Sequence, residues 1–279
     1  MRIAVIGLGL IGGSIALAAR QRLGAEVAGA DIDPSVREEA LSSGTVDRAC
    51  PTAAEAVEDA QAAFVAVPVG ALADAVGAAL KHAPQECIVS DVGSTKRAIV
   101  ADHADPRFVG GHPMAGSEHS GLRHARADLF DDATWFLTPH VATSDTLLKR
   151  LRGLLETIGA HPKIIDPESH DKLVAIVSHL PHVVANVLIA QAQDTLPAGL
   201  QALSSAGPSF RDATRVAGAP AEIWTDIYAT NADMLALAVD DMIARLGAFH
   251  QALCSGDYAR IMTFTEAAAA RARLGQGSG

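Results

Sequence analysis

A chain of 279 residues is too long for one minimal domain, and we expect two modest domains that share a cleft. Hydrophobic residues make up 49% of the chain and charged residues 19%, which is typical of a packed globular protein and excludes extended disorder. The formal net charge of -10 disfavours nucleic acid and anionic membranes as partners, although one local arginine or helix N-terminus can still bind a small anion.

The cysteines indicate a reducing compartment. Cys50, Cys87 and Cys254 are odd in number, scattered and without C-x-x-C spacing, so we expect neither disulfides nor a zinc or redox pair. The apolar run Ile3–Ala19 superficially resembles a signal peptide, but its glycines fall where a strand must turn tightly into a helix. We therefore predict a cytoplasmic protein and assign no targeting or transmembrane segment.

The first half of the chain alternates short β-branched runs with alanine-rich helical stretches, which predicts a doubly wound parallel sheet. Most of these runs lack polar alternation, as strands that are buried on both faces do. The predicted strands are Arg2–Ile6, Glu26–Ala30, Ala63–Val67, Cys87–Asp91, Arg107–Gly110, Thr134–Leu137 and Pro162–Ile165.

The second half, from about Pro167, has helical patterns only. The segment Ser169–Gln193 is apolar nearly all round, which predicts a buried helix that Pro181 should kink. A second long helix is predicted over Ile223–Leu253, where apolar residues recur at three- and four-residue steps. These helices carry more apolar surface than they can bury alone, so we expect a homodimer.

A glycine-rich turn follows the first predicted strand. The residues Gly7-Leu8-Gly9-Leu10-Ile11-Gly12 open a helix at Ser14–Arg20, and Asp31 ends the next strand about 20 residues further on. This is the dinucleotide fingerprint: the glycines let the backbone approach a pyrophosphate at the helix N-terminus, and Asp31 accepts a hydrogen bond from the ribose 2′-hydroxyl. Because an aspartate repels a 2′-phosphate, the sequence favours NAD over NADP.

The predicted architecture is therefore α/β, with an N-terminal Rossmann-type NAD-binding domain over residues 1–166 and an all-α dimerisation domain over residues 167–279. Ligands of an open parallel sheet lie beyond the carboxyl ends of its strands. Ser94 and His112 follow two predicted strands, so both should project toward the cofactor crevice. The predicted cofactor-binding residues are Gly7, Gly9, Leu10, Ile11, Gly12, Asp31, Pro68 and Gly93.

Four segments resemble the signature segments of prephenate and arogenate dehydrogenases. They are Val89–Lys96, Gly111–Glu118, Ser178–His182 and Phe210–Arg215, and the resemblance runs in order from Gly7 to about Trp224 through both predicted domains. It implies NAD-dependent oxidative decarboxylation of prephenate to 4-hydroxyphenylpyruvate, or of arogenate to tyrosine. The choice between these two small anionic substrates stays open.

The resemblance also implies roles for individual residues. His112 contacts the ring hydroxyl as the catalytic base, for which a neutral imidazole is suited, and Ser94 holds its other ring nitrogen in the required tautomer. Arg215 resembles the family's carboxylate clamp, since a guanidinium can grip a planar anion bidentately. The rest of the substrate pocket is implied to contain Ser117, Glu118, His179 and His182.

Simpler interpretations stand beside these roles. His179 and His182 lie three residues apart on an apolar helix, where histidines often satisfy a core hydrogen bond. Arg211 and Arg215 share a face if their segment is helical, so one of the two is also explained as a surface ion-pair partner. The acidic and histidine residues at 168–171 invite a metal, but no second cluster completes a coordination shell, so no metal is predicted.

Two other functions fit the general pattern. A hydroxyacid dehydrogenase also joins a Rossmann domain to a helical, dimerising one, but that class resembles families with a catalytic lysine in a glycine-rich motif, and no such motif surrounds Lys172. A non-catalytic NAD sensor needs no base at the nicotinamide, so the pair Ser94 and His112 argues against it.

Overall fold

The computed structural model describes residues 1–117, 119–195, 206–265 and 267, and an eight-stranded sheet forms the N-terminal half. The strand order is β3-β2-β1-β4-β5-β6-β7-β8, and every neighbouring pair is parallel except β6 with β7. The strands are β1 Arg2–Ile6, β2 Glu26–Ala30, β3 Arg48–Cys50, β4 Ala62–Val65, β5 Ile88–Asp91, β6 Phe108–Pro113, β7 Thr134–Pro139 and β8 His161–Ile164.

Helices cover both faces of this sheet and make up the second half of the chain. Those of the sheet domain are α1 Leu10–Leu23, α2 Pro34–Ser42, α3 Ala53–Val57, α4 Leu72–His82, α5 Arg97–Asp102 and α6 Asp145–Thr157. Those that follow are α7 Pro167–Val174, α8 Leu180–Thr195, α9 Pro208–Thr214, α10 Ala221–Thr230, α11 Ala232–Ser255 and α12 Tyr258–Thr265. The predicted α/β architecture with a helical second half is confirmed.

Two hydrophobic cores hold the helices against the sheet. One face of the sheet packs against α1 and α6 around the fully buried Trp135, and the opposite face packs against α3, α4 and α5 around Phe108. Strands buried on both sides need apolar residues at successive positions, which explains the runs seen in the sequence.

The sheet differs from the prediction at its two ends. The edge strand β3 was not predicted, because it is only three residues long and begins with a charged residue. The predicted sheet was entirely parallel, but β7 runs antiparallel to β6. A parallel pair needs a crossover connection, usually a helix, and the described part of residues 114–133 contains no α-helix. The chain therefore returns beside β6 in the opposite direction.

The helical half departs from prediction at two points. The helix predicted over Ser169–Gln193 contains a π-helical turn, Ala175–His179, directly before Pro181, so the chain accommodates the proline with a wider turn. The single helix predicted over Ile223–Leu253 is wrong. It is divided at Asn231 into α10 and α11, because the side chain of this buried residue donates to the Asp171 carbonyl and accepts from Arg97.

Candidate active site

A crevice of about 1070 Å³ opens at the carboxyl ends of the strands, between the sheet and the helical half. Its sheet side includes the turn after β1 and the ends of β2, β4, β5 and β6, and its helical side includes Ser178 and Trp224. An open parallel sheet binds ligands at this edge. The volume exceeds that of a typical small-ligand pocket, so it can hold a dinucleotide and a small substrate together.

The glycine turn that follows β1 has the shape that a pyrophosphate requires. Gly7 has a φ of +90°, and a Cβ added to Gly12 would lie 1.9 Å from the Gly7 carbonyl oxygen, so neither position tolerates a side chain. A Cβ on Gly9 would meet no atom within 4 Å, because Gly9 faces open crevice where α1 begins. The turn therefore leaves backbone and helix N-terminus accessible to a phosphate.

Most of the predicted cofactor-binding residues line this crevice: Gly7, Gly9, Leu10, Ile11, Asp31, Pro68 and Gly93. Gly12 lies beneath the turn, where its lack of a side chain allows α1 to pack against Gly7. The Asp31 carboxylate accepts hydrogen bonds from the Leu8 N–H at 2.8 Å and the Asp33 N–H at 3.0 Å. These bonds hold a negative carboxylate at the end of β2, facing the position of a ribose.

His112 lies in β6 itself, opposite Phe136 of β7, whereas the sequence placed it just after a strand. Its Nδ1 is 2.9 Å from the Nε2 of His170, and the ring lines the crevice. Burial, followed by the nearby His170 and the Lys96 ammonium, holds the pKa of His112 well below its ordinary value of 6.5. His112 is therefore a neutral imidazole at neutral pH, as a general base requires.

The expected contact between Ser94 and His112 is corrected by this geometry. Ser94 lines the same crevice, but the ring nitrogen that it was expected to hold is bonded to His170 instead. His170 and Asp171 begin the helical half on α7, and both are fully buried. From the sequence, both residues had been weighed only as metal ligands. Within the described residues there is no group of three or more histidine, cysteine, aspartate or glutamate residues placed to hold a metal.

A buried ion pair supports the loop that carries Ser94. Lys96, which is not among the predicted site residues, is fully buried and pairs with Asp91, which also accepts from the N–H groups of Gly93 and Gly111. Burial lowers the pKa of Lys96, although Asp91 opposes the shift. The pair fixes the ends of β5 and β6 relative to each other, and so positions both predicted catalytic residues.

The two predicted pocket histidines of the helical half lie behind Trp224. The ring of His182 stacks on Trp224 with centroids 3.7 Å apart and an interplanar angle of 6°, and its Nδ1 bonds to the Tyr228 hydroxyl. His179 meets Trp224 edge-on and is fully buried, which lowers its pKa to about 4. Trp224 lines the crevice, whereas neither histidine is among its lining residues. The two histidines therefore support the side chain of Trp224, which forms part of the crevice lining.

The remaining predicted substrate residues have different positions. Ser117 lines the crevice. Arg215 begins the 3-10 turn Arg215–Gly218, and its side chain is exposed and outside the crevice lining, although Ala219 directly after this turn does line it. Glu118 lies outside the described residues.

The fold and the site define an NAD-dependent dehydrogenase: a dinucleotide crevice closed by a second, helical unit, with an uncharged histidine at the strand ends. The family model for the nucleotide-binding domain of prephenate dehydrogenase matches residues 15–164, and the model for its dimerisation domain matches residues 166–266. The chain belongs to the prephenate dehydrogenase family, and its cofactor is NAD.

Individual relatives agree with this assignment. The chain is 35% identical to the prephenate dehydrogenase of Bacillus subtilis, over 88% of this chain and 68% of that protein. It is 34% identical to the cyclohexadienyl dehydrogenase of Zymomonas mobilis, over 92% and 90%. The crystal structure of prephenate dehydrogenase from A. aeolicus in complex with hydroxyphenyl propionate and NAD+ superposes with a TM-score of 0.92 at 27% identity, covering 98% of each chain.

Proposed function

We propose that this chain oxidises and decarboxylates prephenate, arogenate or both, with His112 as the catalytic base. The observation that carries this role is the position of His112 in the NAD crevice, with Nδ1 engaged by His170 and the ring held uncharged. Membership of the prephenate dehydrogenase family sets aside a hydroxyacid dehydrogenase and a non-catalytic sensor.

The turn at residues 7–12 would hold the pyrophosphate, Asp31 the adenosine ribose, and Pro68 with Gly93 the part of the cofactor that extends toward His112. The bound nicotinamide supplies the hydride acceptor. His112 accepts the proton of the ring hydroxyl as the carbon–hydrogen bond breaks and the carbonyl forms. The carbon–carbon bond to the ring carboxylate then breaks, its electron pair makes the ring aromatic, and the resulting phenolate takes the proton back.

On the substrate side, Arg215 is proposed to bind the carboxylate of the substrate, since Arg215–Gly218 directly precedes a crevice-lining segment and a guanidinium binds a carboxylate bidentately. Ser94, Ser117 and Glu118 are proposed to contact the substrate directly. His179 and His182 are proposed to shape the pocket through Trp224, because both rings pack against that side chain.

Steady-state assays with each substrate test the proposed function. Purified protein should reduce NAD when prephenate or arogenate is added, release carbon dioxide in equal amount, and use NADP poorly because of Asp31. Rates with the two substrates also decide which side chain, keto or amino, is accepted. Reduction of NAD by simple hydroxyacids, with neither cyclohexadienyl compound turned over, would contradict the proposal.

We propose a homodimer whose interface is the exposed apolar surface of the helical half. By length and composition alone, the helix Pro167–Asp194 could cross a membrane, a test that core helices also pass, and 33% of its apolar window is buried. Exposed large apolar side chains on this helix and on α11 are Ile176, Val177, Val187, Leu237, Ile243, Leu246 and Leu253. Water contact with so large an apolar face is unfavourable, and a second copy would remove it.

Light scattering checks the dimer with one disruptive variant and one control. Leu246→Asp places a charge on the proposed interface and should lower the mass to that of a monomer. Val141→Asp, at an apolar and even more exposed position in the sheet domain, should leave the dimer intact. A monomeric wild type at micromolar concentration would contradict the proposal.

The cellular compartment and the domain boundary are proposals too. We infer a cytoplasmic location from the biosynthetic family and from Cys50, Cys87 and Cys254, which are all free thiols. Division of the chain into residues 1–166 and 167–279 is supported by the change from the last strand, β8, to continuous helix at Pro167.

A further inference from the structure

A chain of hydrogen bonds continues behind His112 into the helical half. The Nδ1 of His112 lies 2.9 Å from the Nε2 of His170, and the Nδ1 of His170 lies 2.8 Å from the Oδ1 of Asp171. His170 and Asp171 are fully buried, and the edge of Phe136 packs against the His170 ring. In such a chain, the protonation of one group determines whether the next ring nitrogen donates or accepts.

Asp171 is the fixed end of this chain. Besides His170, its carboxylate accepts the backbone N–H groups of Lys96 and Arg97 at 2.8 and 3.0 Å and the Arg97 Nε at 3.3 Å. Burial raises the pKa of Asp171, but the hydrogen bonds from His170, Arg97 and Lys96 outweigh burial, and the net shift is downward. The carboxylate is therefore ionised and can only accept hydrogen bonds.

The protonation of the two imidazoles follows from this acceptor. Because Asp171 only accepts, the Nδ1 of His170 must carry a proton. A neutral His170 then presents an unprotonated Nε2 toward His112, whose Nδ1 must be the donor. The Nε2 of His112 is left without a proton, and among the described residues it has no hydrogen-bond partner.

We propose that His170 and Asp171 are positioning residues that hold His112 in its Nδ1–H tautomer and so make its Nε2 the base that receives the hydroxyl proton of the substrate. The proposal rests on the proposed function for the identity of that proton. When the substrate O–H bond breaks and the Nε2–H bond forms, His112 becomes an imidazolium, and its Nδ1–H bond to His170 stabilises the new charge.

A protonated His170 would reverse the arrangement, because it would donate to His112 Nδ1 and leave the proton on Nε2. The hydrogen bonds of Asp171 argue for the neutral form instead. Asp171 accepts two backbone N–H groups and the Arg97 Nε in addition to His170, so its carboxylate does not require an imidazolium beside it.

Nitrogen-15 NMR of histidine-labelled protein reads the tautomers without any turnover. We expect His112 protonated at Nδ1 alone and His170 protonated at Nδ1 alone, with the signals assigned from the variants His112→Asn and His170→Gln. A proton on Nε2 of His112, or on both nitrogens of His170, would overturn the proposal.

Two substitutions separate positioning from packing. His170→Phe keeps a ring against Phe136 but removes the acceptor, so kcat should fall about a hundredfold while KM and the Kd for NAD stay within about twofold. In His170→Gln the amide oxygen can still accept from His112, and kcat should recover to within about tenfold of the wild type. The matched control is His103→Phe, since His103 also packs edge-on against a phenylalanine, Phe108, but away from the crevice.

The outcomes keep this proposal distinct from the proposed function. If wild type turns over neither prephenate nor arogenate, the proposed function fails, and the NMR signals still decide the tautomer. If wild type is active and His170→Phe keeps kcat within about twofold, the positioning role is wrong while the function stands. If His170→Phe does not fold, the wild-type NMR signals still decide the proposal, because an unprotonated Nδ1 of His112 would refute it.

Discussion

The glycine turn offers a sharp test of the cofactor site, because two of its glycines have opposite surroundings. Gly9 has a φ of -79°, which any residue adopts, and its added Cβ would meet nothing within 4 Å, so Gly9→Ala should fold with an unchanged Tm. The new methyl group nevertheless occupies the space through which the pyrophosphate approaches the start of α1. Loss of one charge-assisted hydrogen bond there costs about 1.5 to 3 kcal/mol, which raises the Kd for NAD roughly 10- to 150-fold.

Isothermal titration calorimetry with NAD measures this change directly, and thermal unfolding monitors the fold. Gly153→Ala is the matched control: this glycine is exposed within α6 and equally open, so the Kd should not change. Gly12→Ala should instead lower the Tm, because its Cβ would overlap the Gly7 carbonyl. A Gly9→Ala variant that binds NAD with a Kd within about twofold of wild type would refute the assignment of the turn.

Three further predictions concern the substrate, the cofactor and stability. Arg215→Gln should raise KM for the preferred substrate, with a loss of about 2 to 4 kcal/mol in kcat/KM, and an unchanged KM would exclude Arg215 as the carboxylate clamp. Asp31→Ser combined with Ile32→Arg, at a position 95% exposed, should move preference toward NADP, whereas Ile32→Arg alone should not; kcat/KM with each cofactor checks this. The pKa of buried His179 is about 4 against an ordinary 6.5, so the unfolded chain binds this proton first and stability falls as the pH drops from 6.5 to 4. Measured by denaturant unfolding, the decrease in the free energy of unfolding over this pH range should be about 3 kcal/mol smaller for His179→Leu than for wild type. Equal decreases in the two proteins would contradict the assignment.

Local sequence patterns were sufficient for most of the sheet domain. The glycine spacing at 7–12 and the apolar strands determined where the crevice would lie, because the carboxyl ends of parallel strands share one edge. The three-residue strand β3 carried too short a pattern to detect. The reversal of β7 depends on how the loop at residues 114–133 packs, which no periodicity records.

The active-site network was harder to predict because its members are distant in sequence. His112 and His170 are 58 residues apart and meet only when α7 packs against the end of β6. In the sequence, His170 next to Asp171 indicates a metal site as readily as a hydrogen-bond chain. The role of Trp224 was missed for the same reason: its stacking with His182 joins two helices that no local pattern relates.

The central claim is that a neutral His112 acts as the base in the NAD crevice, and His112→Asn tests it most directly. Because the base acts only as the hydroxyl proton moves, kcat should fall about a hundred- to ten-thousandfold while KM and the Kd for NAD change little. In wild type, the acid limb of kcat/KM should lie below pH 6.5, since the pKa of His112 is lowered, and this limb should be absent from the residual activity of the variant. Near-normal turnover by His112→Asn, with its acid limb unchanged, would contradict the account.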